Sequence, residues 1–296
     1  MILAVTGGTG FVGRHFLRIA VEAGHEVRAL ARSTQAPQSG VTWIPGTLAE
    51  PADLCAGADA VVHIAGVINA RTRAEFDAGN VAGTASMLSA ARAANVRRFV
   101  HVSSLAAREP QLSSYGASKL ASEALVESSD LDWSIIRPPG VYGPGDRETL
   151  ALFQLAARGF ALTPWAGRVS MIEVSDLCRA LLALAAAPPT FAIHEVDDGT
   201  PVDHATLSRI IGEAVGRRLR MIRVPAAGMA FAAAIDTAQS RLRGHLPRLS
   251  FERARYLAHP DWVVRGDNLA GLWAPQVDLA SGTAAAAAWY RAQGWL

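Results

Sequence analysis

The sequence predicts an α/β fold built on a doubly wound parallel sheet, with a smaller C-terminal domain. Three observations predict it: an apolar N-terminal strand that ends in a glycine turn, an alternation of strands and helices up to residue 137, and proline and glycine breaks at 138–145. Strands that alternate with helices are typical of right-handed βαβ crossovers. The predicted domains are 1–140 for the sheet and 141–296 mainly for the cap, with some later segments returning to the sheet.

The first element is the apolar run Ile2–Val5, which reads as a strand buried on both faces. Gly8, Gly10 and Gly13 follow in the spacing G-x-G-x-x-G, and an amphipathic helix is predicted over 14–23. This spacing after a strand is typical of a dinucleotide site, because Gly10 leaves room for a pyrophosphate and Gly13 lets helix and strand approach. Open backbone N–H groups at the helix start would then bind the anion.

The second predicted strand, Glu26–Ala31, ends at Arg32. The dinucleotide fingerprint usually places a carboxylate in this neighbourhood, where it holds a ribose hydroxyl. An arginine suits a 2′-phosphate, so the sequence favours NADP, with NAD still possible. A solvated surface arginine is the alternative.

The remaining elements are placed by periodicity and by turn residues. In the first half we predict strands over 41–44, 58–65, 97–102 and 133–136 and helices over 80–94 and 115–126. In the second half we predict helices over 147–158, 175–187, 205–215, 226–243 and 281–293 and strands over 193–196 and 219–224. Ligands of such sheets bind beyond the carboxyl ends of the strands. The glycine turn, Arg32, Gly66, Ser104 and the start of the 115–126 helix all fall at that edge.

A tyrosine and a lysine, Tyr115 and Lys119, stand four residues apart and therefore share one helix face. An ammonium near a phenol favours the phenolate, so Lys119 is expected to lower the pKa of Tyr115. A tyrosine tuned in this way can exchange a proton with a carbonyl or hydroxyl oxygen. Ser104, at the end of the preceding strand, can hydrogen-bond to the same oxygen.

Six motifs together resemble the extended short-chain dehydrogenase/reductase family, the NAD(P)-dependent epimerase/dehydratase group. They are T-G-G-T-G-F-V-G (6–13), H-I-A-G (63–66), N-V-A-G-T (80–84), V-S-S (102–104), Y-G-A-S-K (115–119) and R-P-P-G-V-Y-G-P-G-D (137–146). The resemblance implies a Rossmann fold with a small C-terminal substrate-binding domain. It also implies a catalytic set of Ser104, Tyr115 and Lys119. The cofactor-binding residues that we predict are Gly7, Gly10, Phe11, Val12, Gly13, Arg32, Thr47, Leu48, Ala65, Gly66, Asn80, Tyr115, Lys119 and Pro138.

Three departures from the family pattern bear on the substrate. Thr47 stands where an aspartate near adenine is common, and Leu105 and Ala106 stand where sugar dehydratases carry an Asp-Glu pair. Only ten residues, Leu105–Ser114, separate the serine from the tyrosine, whereas nucleotide-sugar members often have a longer loop. The threonine leaves the adenine contact open, and the missing Asp-Glu pair disfavours sugar 4,6-dehydratase chemistry. The short loop favours a reductase or a member without a sugar-nucleotide substrate.

The leading hypothesis is therefore hydride transfer at a carbinol or carbonyl carbon of a small molecule, as net redox chemistry or as epimerisation. The alternative is a cofactor-binding structural subunit or assembly factor with little turnover. The substrate's identity stays open, because the variable cap determines it. A homodimer is possible, since helix-paired dimers are common in the family that the chain resembles.

Bulk properties narrow the partners and the location. The formal net charge of +2 over 296 residues gives no indication of a nucleic-acid partner, and the longest apolar segments are too short to span a bilayer. Cys55 and Cys178 form no C-x-x-C motif, which favours a reducing, cytoplasmic compartment. No histidine or cysteine grouping has metal-ligand spacing, so no metal is expected.

For several other residues the sequence allows both a functional and a structural interpretation. Trp165, Met171 and Tyr142 could line a substrate pocket or could pack in the core, and Arg147 could bind an anion or lie at the surface. His63 is expected to be a packed histidine, and Ser175 or Asp176 is expected to cap a helix. The segment 226–248, apolar and then basic through Arg241, Arg243, His245 and Arg248, is expected to be a packed helix, with an interfacial membrane helix as the alternative.

Overall fold

The computed structural model describes residues 1–51, 53–243, 247, 249–266 and 268–296. Within this part of the chain, seven parallel strands form the main sheet, in the order β3-β2-β1-β4-β5-β6-β11. The strands are β1 Ile2–Thr6, β2 Glu26–Ala31, β3 Val41–Pro45, β4 Ala60–His63, β5 Arg98–Val102, β6 Asp132–Arg137, β7 Gly140–Tyr142, β8 Phe160–Pro164, β9 Arg168–Val169, β10 Met171–Glu173, β11 Ile193–Glu195, β12 Val202–Asp203, β13 Arg220–Val224 and β14 Asp261–Trp262. The predicted doubly wound α/β fold is confirmed.

Helices cover both faces of the sheet. The helices of the described residues are α1 Phe11–Glu22, α2 Arg73–Phe76, α3 Gly83–Ala93, α4 Ser114–Glu127, α5 Leu150–Ala157, α6 Val174–Ala186, α7 His204–Val215, α8 Ala226–Arg243, α9 Phe251–Ala258 and α10 Leu279–Ala292. One apolar layer joins the sheet to α1 and α6 through Phe16 and Leu181, and the opposite layer joins it to α3 and α4 through Met87 and Val126. Burial of each such side chain contributes about 1.5–3 kcal/mol, and this two-sided burial explains why β1 and β4 are apolar except at their last residues, Thr6 and His63.

The second half of the chain builds its own apolar cluster around Phe153, Leu207, Trp262 and Tyr290. Its strands are short, and they pair over long sequence separations, as in the order β12-β9-β14 and in the parallel pair β8 and β13. Two of its elements, α6 and β11, pack on or join the main sheet. The cap therefore lies next to the carboxyl ends of the strands.

The strand order reverses next to β1, between β2 and β4. In doubly wound sheets such a reversal opens a crevice beyond the carboxyl ends, because the flanking connections run to opposite faces. The crevice lies where the glycine turn leaves β1, so the sheet topology places the predicted site.

One predicted element differs in kind. The helix predicted over 80–94 begins as a π-helical turn over Asp77–Ala82, which follows the short helix α2, and it continues as α3. Gly79 lies so close to Val67 that a Cβ there would stand 2.2 Å from its Cγ2. The wide turn directs the side chain of Asn80 toward Val67 and α4. A regular helix that started at Asn80 would not require this orientation.

Candidate active site

The glycine turn joins β1 to α1 at the crevice. Gly7 has a φ of +76°, and its carbonyl oxygen accepts the N–H of Gly10 at 2.9 Å. A Cβ on Gly13 would lie 2.0 Å from that same oxygen. No side chain caps the first turn of α1 at Gly10. The backbone N–H groups at the start of α1 are therefore open to an anion, and the turn fits the pyrophosphate of a dinucleotide.

Ser104 and Tyr115 meet at the carboxyl end of β5. The Ser104 hydroxyl accepts the N–H of Ala106 at 3.2 Å and starts a 3₁₀ turn over Leu105–Arg108. Ser113 caps α4 by accepting the N–H of Gly116 at 3.0 Å, which places Tyr115 in the first turn of that helix. Ser104 lies close enough to Tyr115 to act on the pKa of its phenol. This pair can hold one substrate oxygen between two hydroxyls.

Lys119 lies one turn further along α4 and is almost fully buried. Its ammonium donates to the carbonyl oxygen of Val102 at 2.7 Å. Burial lowers the pKa of Lys119 from 10.5 to about 8, while the charge of Glu123 opposes that shift. Lys119 is therefore a cation whose proton is lost close to the physiological range.

The pKa of Tyr115 departs from the expectation. Burial raises the pKa of the phenol, and the hydrogen bond with Ser104 opposes that shift. Lys119, whose ammonium donates to the carbonyl oxygen of Val102, does not reverse that shift. The expected net lowering of the Tyr115 pKa is therefore absent, because removal of the phenol from water outweighs the neighbouring interactions. A tyrosine with a raised pKa keeps its proton at neutral pH and can donate it.

Asn80 braces this arrangement from beneath. Its buried side chain accepts the N–H of Val67 at 2.7 Å and donates to the Ser118 hydroxyl at 2.9 Å. Gly66 lies between the side chains of Asn80 and Lys119. A Cβ at Gly66 would come within 3.1 Å of Oδ1 of Asn80 and 3.6 Å of Nζ of Lys119. Asn80 thus fixes the loop after β4 against α4, and Gly66 leaves space beside the lysine.

A buried ion pair, which was not predicted from the sequence, lies under the site. Glu123 is fully buried, and its carboxylate accepts two bonds from the guanidinium of Arg137, at 2.8 and 2.5 Å. The hydroxyl of Ser103 donates to the same carboxylate. The spacing Tyr115, Lys119, Glu123, at i, i+4 and i+8 on one helix face, was the available signal. The pair fixes α4 to β5 and β6 and places a negative charge near Lys119.

A cavity of about 450 Å³ connects these groups. One wall carries Phe11, Val12 and Gly66 from the predicted cofactor set, together with Ser104, Tyr115, Lys119 and Pro138. Residues of the cap also line it, among them Tyr256 and Leu257 of α9 and the charged Asp146, Glu148, Glu252 and Arg253, and Ile68 and Phe76 add apolar surface. A single space therefore runs from the start of α1 to the cap.

A smaller cavity of about 180 Å³ lies on the other side of the glycine turn. Gly8, Thr9, Arg14, Gln35 and Trp43 are among the residues that line it. Arg32 is exposed directly after β2. Arg32 was predicted from the sequence to bind the cofactor. Arg14 was not, although it follows the last glycine of the motif.

Other predicted cofactor residues lie at the same edge. Thr47 is exposed in the turn after β3, where its hydroxyl accepts the N–H of Glu50 at 3.2 Å. Leu48 packs toward Gly83 of α3. A Cβ on Gly7 would meet the backbone nitrogen of Ala65 at 2.7 Å, so Ala65 borders the glycine turn directly.

Most of the residues for which the sequence left two interpretations open are packing residues in the structure. Tyr142 and Met171 are buried in the cap cluster, and Trp165 is exposed outside the larger cavity, with Arg223 near its ring. Arg147 stacks over Trp295 at 4.9 Å. His63 is buried between the hydroxyls of Thr6 and Thr84, and burial lowers its pKa to about 3.

The predicted N-cap residue of helix α6 is wrong. Glu173, not Ser175 or Asp176, occupies the N-cap position, and its carboxylate accepts the N–H of Ser175 at 2.7 Å. Asp176 is buried and instead accepts the N–H groups of Gln276 and Val277. It ties the C-terminal segment to α6, which explains why a carboxylate is retained inside the fold.

The described residues contain no helix long and apolar enough to cross a membrane. They contain no group of three or more histidine, cysteine or acidic side chains able to hold a metal ion. Cys55 and Cys178 are both buried, reduced thiols. Of the predicted basic end of segment 226–248, His245 and Arg248 lie outside the described residues.

Comparison with known proteins decides the family. Residues 3–194 match the model of the NAD dependent epimerase/dehydratase family. The chain belongs to this family. Like other members of the NAD dependent epimerase/dehydratase family, it is an NAD(P)-dependent oxidoreductase or epimerase of the extended short-chain dehydrogenase/reductase type.

Two curated members resemble it along much of their length. A ceramide reductase of Caulobacter vibrioides is 38% identical over 306 aligned positions, which cover 100% of this chain and 96% of that protein. A 4-hydroxy-2-methyl-3-oxo-4-farnesyl-3,4-dihydroquinoline-1-oxide ketoreductase of Stigmatella aurantiaca is 32% identical, with 75% of each chain covered. The crystal structure of gox2253 has the same fold, with a TM-score of 0.82 at 20% identity over 100% of this chain and 99% of that one.

Proposed function

We propose that this enzyme reduces the ketone of a long-chain lipid, such as the keto form of a ceramide, with NADPH as the preferred cofactor. The observation that carries the proposal is the single cavity that is lined by the start of α1, by Ser104 and Tyr115, and by Tyr256 and Leu257 of α9. The apolar side chains in this lining, which include Ile68 and Phe76, suit alkyl chains better than a sugar nucleotide. The two similar proteins are a reductase named for ceramide and a ketoreductase named for a farnesylated ring.

The proposed chemistry divides the work among three side chains. A bound nicotinamide would supply hydride to the carbonyl carbon. The hydroxyls of Ser104 and Tyr115 hold the carbonyl oxygen, and Tyr115 transfers its proton to that oxygen as negative charge develops there. Lys119, protonated below its pKa of about 8, stabilises the phenolate that Tyr115 becomes. The raised pKa of Tyr115 suits this direction, since the phenol must begin protonated.

The direct test is turnover. The purified enzyme is incubated with NADPH and a long-chain 3-keto lipid amide in mixed micelles, and NADPH loss and the secondary alcohol are measured. We expect equal amounts of the two. A protein that binds NADPH but reduces no ketone would instead support the alternative of a cofactor-binding structural subunit. A cofactor that stays bound while substrate stereochemistry changes would support epimerisation.

The pH dependence of reduction follows from Lys119. Because its pKa is lowered to about 8 and the cationic form is the active one, kcat/KM should be level below pH 8 and fall about tenfold per unit above it. In Lys119→Arg the cation persists at high pH, so the alkaline limb should move upward even if the absolute rate falls. The profile is measured under conditions of limiting ketone. An alkaline limb at the same pH in both proteins would contradict the assignment.

Two arginines are proposed to recognise the 2′-phosphate of NADPH. Arg14 borders the smaller cavity beside Gly8, and Arg32 ends β2 on the exposed edge. Removal of either guanidinium should weaken NADPH binding by about tenfold or more, because a hydrogen bond to a charged group contributes about 1.5–3 kcal/mol. NADH binding should change little.

Fluorescence titration with both cofactors checks this prediction in Arg14→Ala and Arg32→Ala. Arg18→Ala is the matched control, since Arg18 lies one turn along α1 and pairs with Glu22 at 2.8 Å. Equal affinity of the wild type for NADPH and NADH would contradict the preference. We further propose a cytoplasmic location, in keeping with the two thiols, and a homodimer as the assembly to test.

A further inference from the structure

Helix α8 exposes an unusual surface. Phe231, Ile235 and Leu242 are 70%, 45% and 89% exposed. At 100° per residue these three side chains project within about 40° of one another. We call them the apolar stripe. The opposite face carries Ala233 and Ser240, which are buried. The helix thus turns its large apolar side chains outward and its small ones inward, the reverse of a helix packed on a core.

Positive charge adjoins the stripe in the chain. The arginine segment, which we define as residues 217–223, contains Arg217, Arg218, Arg220 and Arg223, and all four are exposed. Residues 214–235 include no aspartate or glutamate. None of these arginines forms an ion pair with any residue that the structure describes. Only Val224 and Pro225 separate the segment from α8.

Further exposed apolar side chains accompany these arginines. Met221 and Ile222 are exposed within the arginine segment, and Ile222 is in register with the exposed Leu162 of β8. Trp165, which follows β8, is 68% exposed, and the guanidinium of Arg223 lies 6.0 Å from its ring. Isolated exposed apolar residues are ordinary on protein surfaces, but apolar side chains grouped with arginine and tryptophan are typical of a membrane interface.

The same helix borders the active-site cavity. α8 packs against α9, and α9 supplies Arg253, Tyr256 and Leu257 to the cavity lining. Pro247 and Ser250, in the connection between the two helices, line it as well. Helix α8 therefore lies next to the helix and the connection that line the cavity.

We propose that the apolar stripe and the arginine segment form a docking surface for an anionic lipid bilayer. The stripe inserts among acyl chains, and the arginines bind headgroup phosphates, as expected of an amphipathic interfacial helix. Acidic lipids are the fitting partner because the segment is uniformly positive. This surface would let a lipid ketone pass from the bilayer to the cavity beside α9, a step that rests on the proposed function, whereas the docking itself does not.

The test uses the whole protein and extruded vesicles of phosphatidylcholine, with or without phosphatidylglycerol, in a flotation assay without substrate. We expect binding to the anionic vesicles, at least tenfold weaker binding to neutral ones, and weakening by salt. The triple variant Phe231→Ser/Ile235→Ser/Leu242→Ser should lose at least tenfold in affinity. Phe191→Ser is the matched control, because Phe191 is 56% exposed at the far edge of the sheet beside Trp133, and it should bind as the wild type does.

Thermal unfolding and turnover of a short, water-soluble ketone accompany each binding measurement. Both should be unchanged in the triple variant, since its side chains contact water and lie outside the cavity lining. With a vesicle-borne ketone its KM should rise and its kcat should stay. A single variant, Phe231→Ser, gives an intermediate loss of vesicle binding and serves if the triple variant does not fold.

Two outcomes overturn the proposal. One is a wild type that reduces the soluble ketone but does not float with anionic vesicles, which leaves the proposed function standing. The other is a wild-type dimer that the triple variant converts to a monomer with vesicle binding intact, which would make the stripe a contact between two copies of the chain. Vesicle binding without reduction of any ketone would contradict the proposed function and leave the docking surface standing.

Discussion

Tyr115→Phe should lower kcat for ketone reduction by about 10²–10⁴-fold, the range expected when a positioned acid is removed. Tyr115 lies beside Ser104, and both residues line the cavity. Its raised pKa keeps the proton available at neutral pH, and phenylalanine has no proton to give. Stopped-flow measurement of NADPH oxidation under saturating cofactor isolates this step.

Binding and folding should survive the same substitution. The aromatic ring is kept, and its contact with Phe76, at 6.2 Å between centroids, needs no hydroxyl. NADPH affinity, measured by fluorescence, should therefore stay within about threefold, which corresponds to less than 1 kcal/mol. Retention of more than a tenth of the wild-type kcat would show that the proton comes from another group.

Tyr142→Phe is the matched control for this experiment. Tyr142 is also a buried tyrosine, but its hydroxyl has no hydrogen-bond partner among the described residues and does not line the cavity. Removal of that hydroxyl leaves the site untouched, so kcat should remain close to that of the wild type. A large loss in Tyr142→Phe would mean that packing, rather than proton transfer, explains the effect at Tyr115.

The main sheet could be predicted because its elements depend on local patterns. Apolar runs, the glycine turn and the alternation of strands with helices carry their own signals, and β1 and β5 lie within a residue of the predicted positions. The cap could not be predicted in the same way. Its strands β9, β12 and β14 are two residues long, and pairing across more than 30 positions defines them rather than any local pattern.

The site divides along the same line. Motif spacing sufficed to place Ser104, Tyr115 and Lys119 on one cavity wall. Spacing could not give the direction of the pKa shift of Tyr115, because that direction depends on how much water the folded cap excludes. Spacing could not identify Glu173 as the N-cap residue of α6 either, since Glu173 reaches that position through the turn after β10.

Two substitutions in the glycine turn separate an effect on the fold from an effect on cofactor binding. In Gly13→Ala the new methyl group would stand 2.0 Å from the carbonyl oxygen of Gly7, so the turn itself must shift. In Gly10→Ala the corresponding distance is 3.2 Å, which a shift of a few tenths of an ångström relieves. The first variant should disturb the fold and the cofactor site together, and the second should disturb mainly the cofactor site.

We expect Gly13→Ala to lower the free energy of unfolding by about 1–3 kcal/mol, as overpacking does, and to weaken NADPH binding by about 100-fold or more. Gly10→Ala should change the free energy of unfolding by less than about 1 kcal/mol and still weaken NADPH at least tenfold, because its methyl group takes space needed by the pyrophosphate. Urea unfolding and fluorescence titration measure the two quantities separately. If both variants bound NADPH as tightly as the wild type, the dinucleotide could not lie against this turn. Hydride transfer beside Tyr115 would then have no cofactor to draw on, since Phe11, Val12 and Gly66 connect the turn to the tyrosine along one cavity wall.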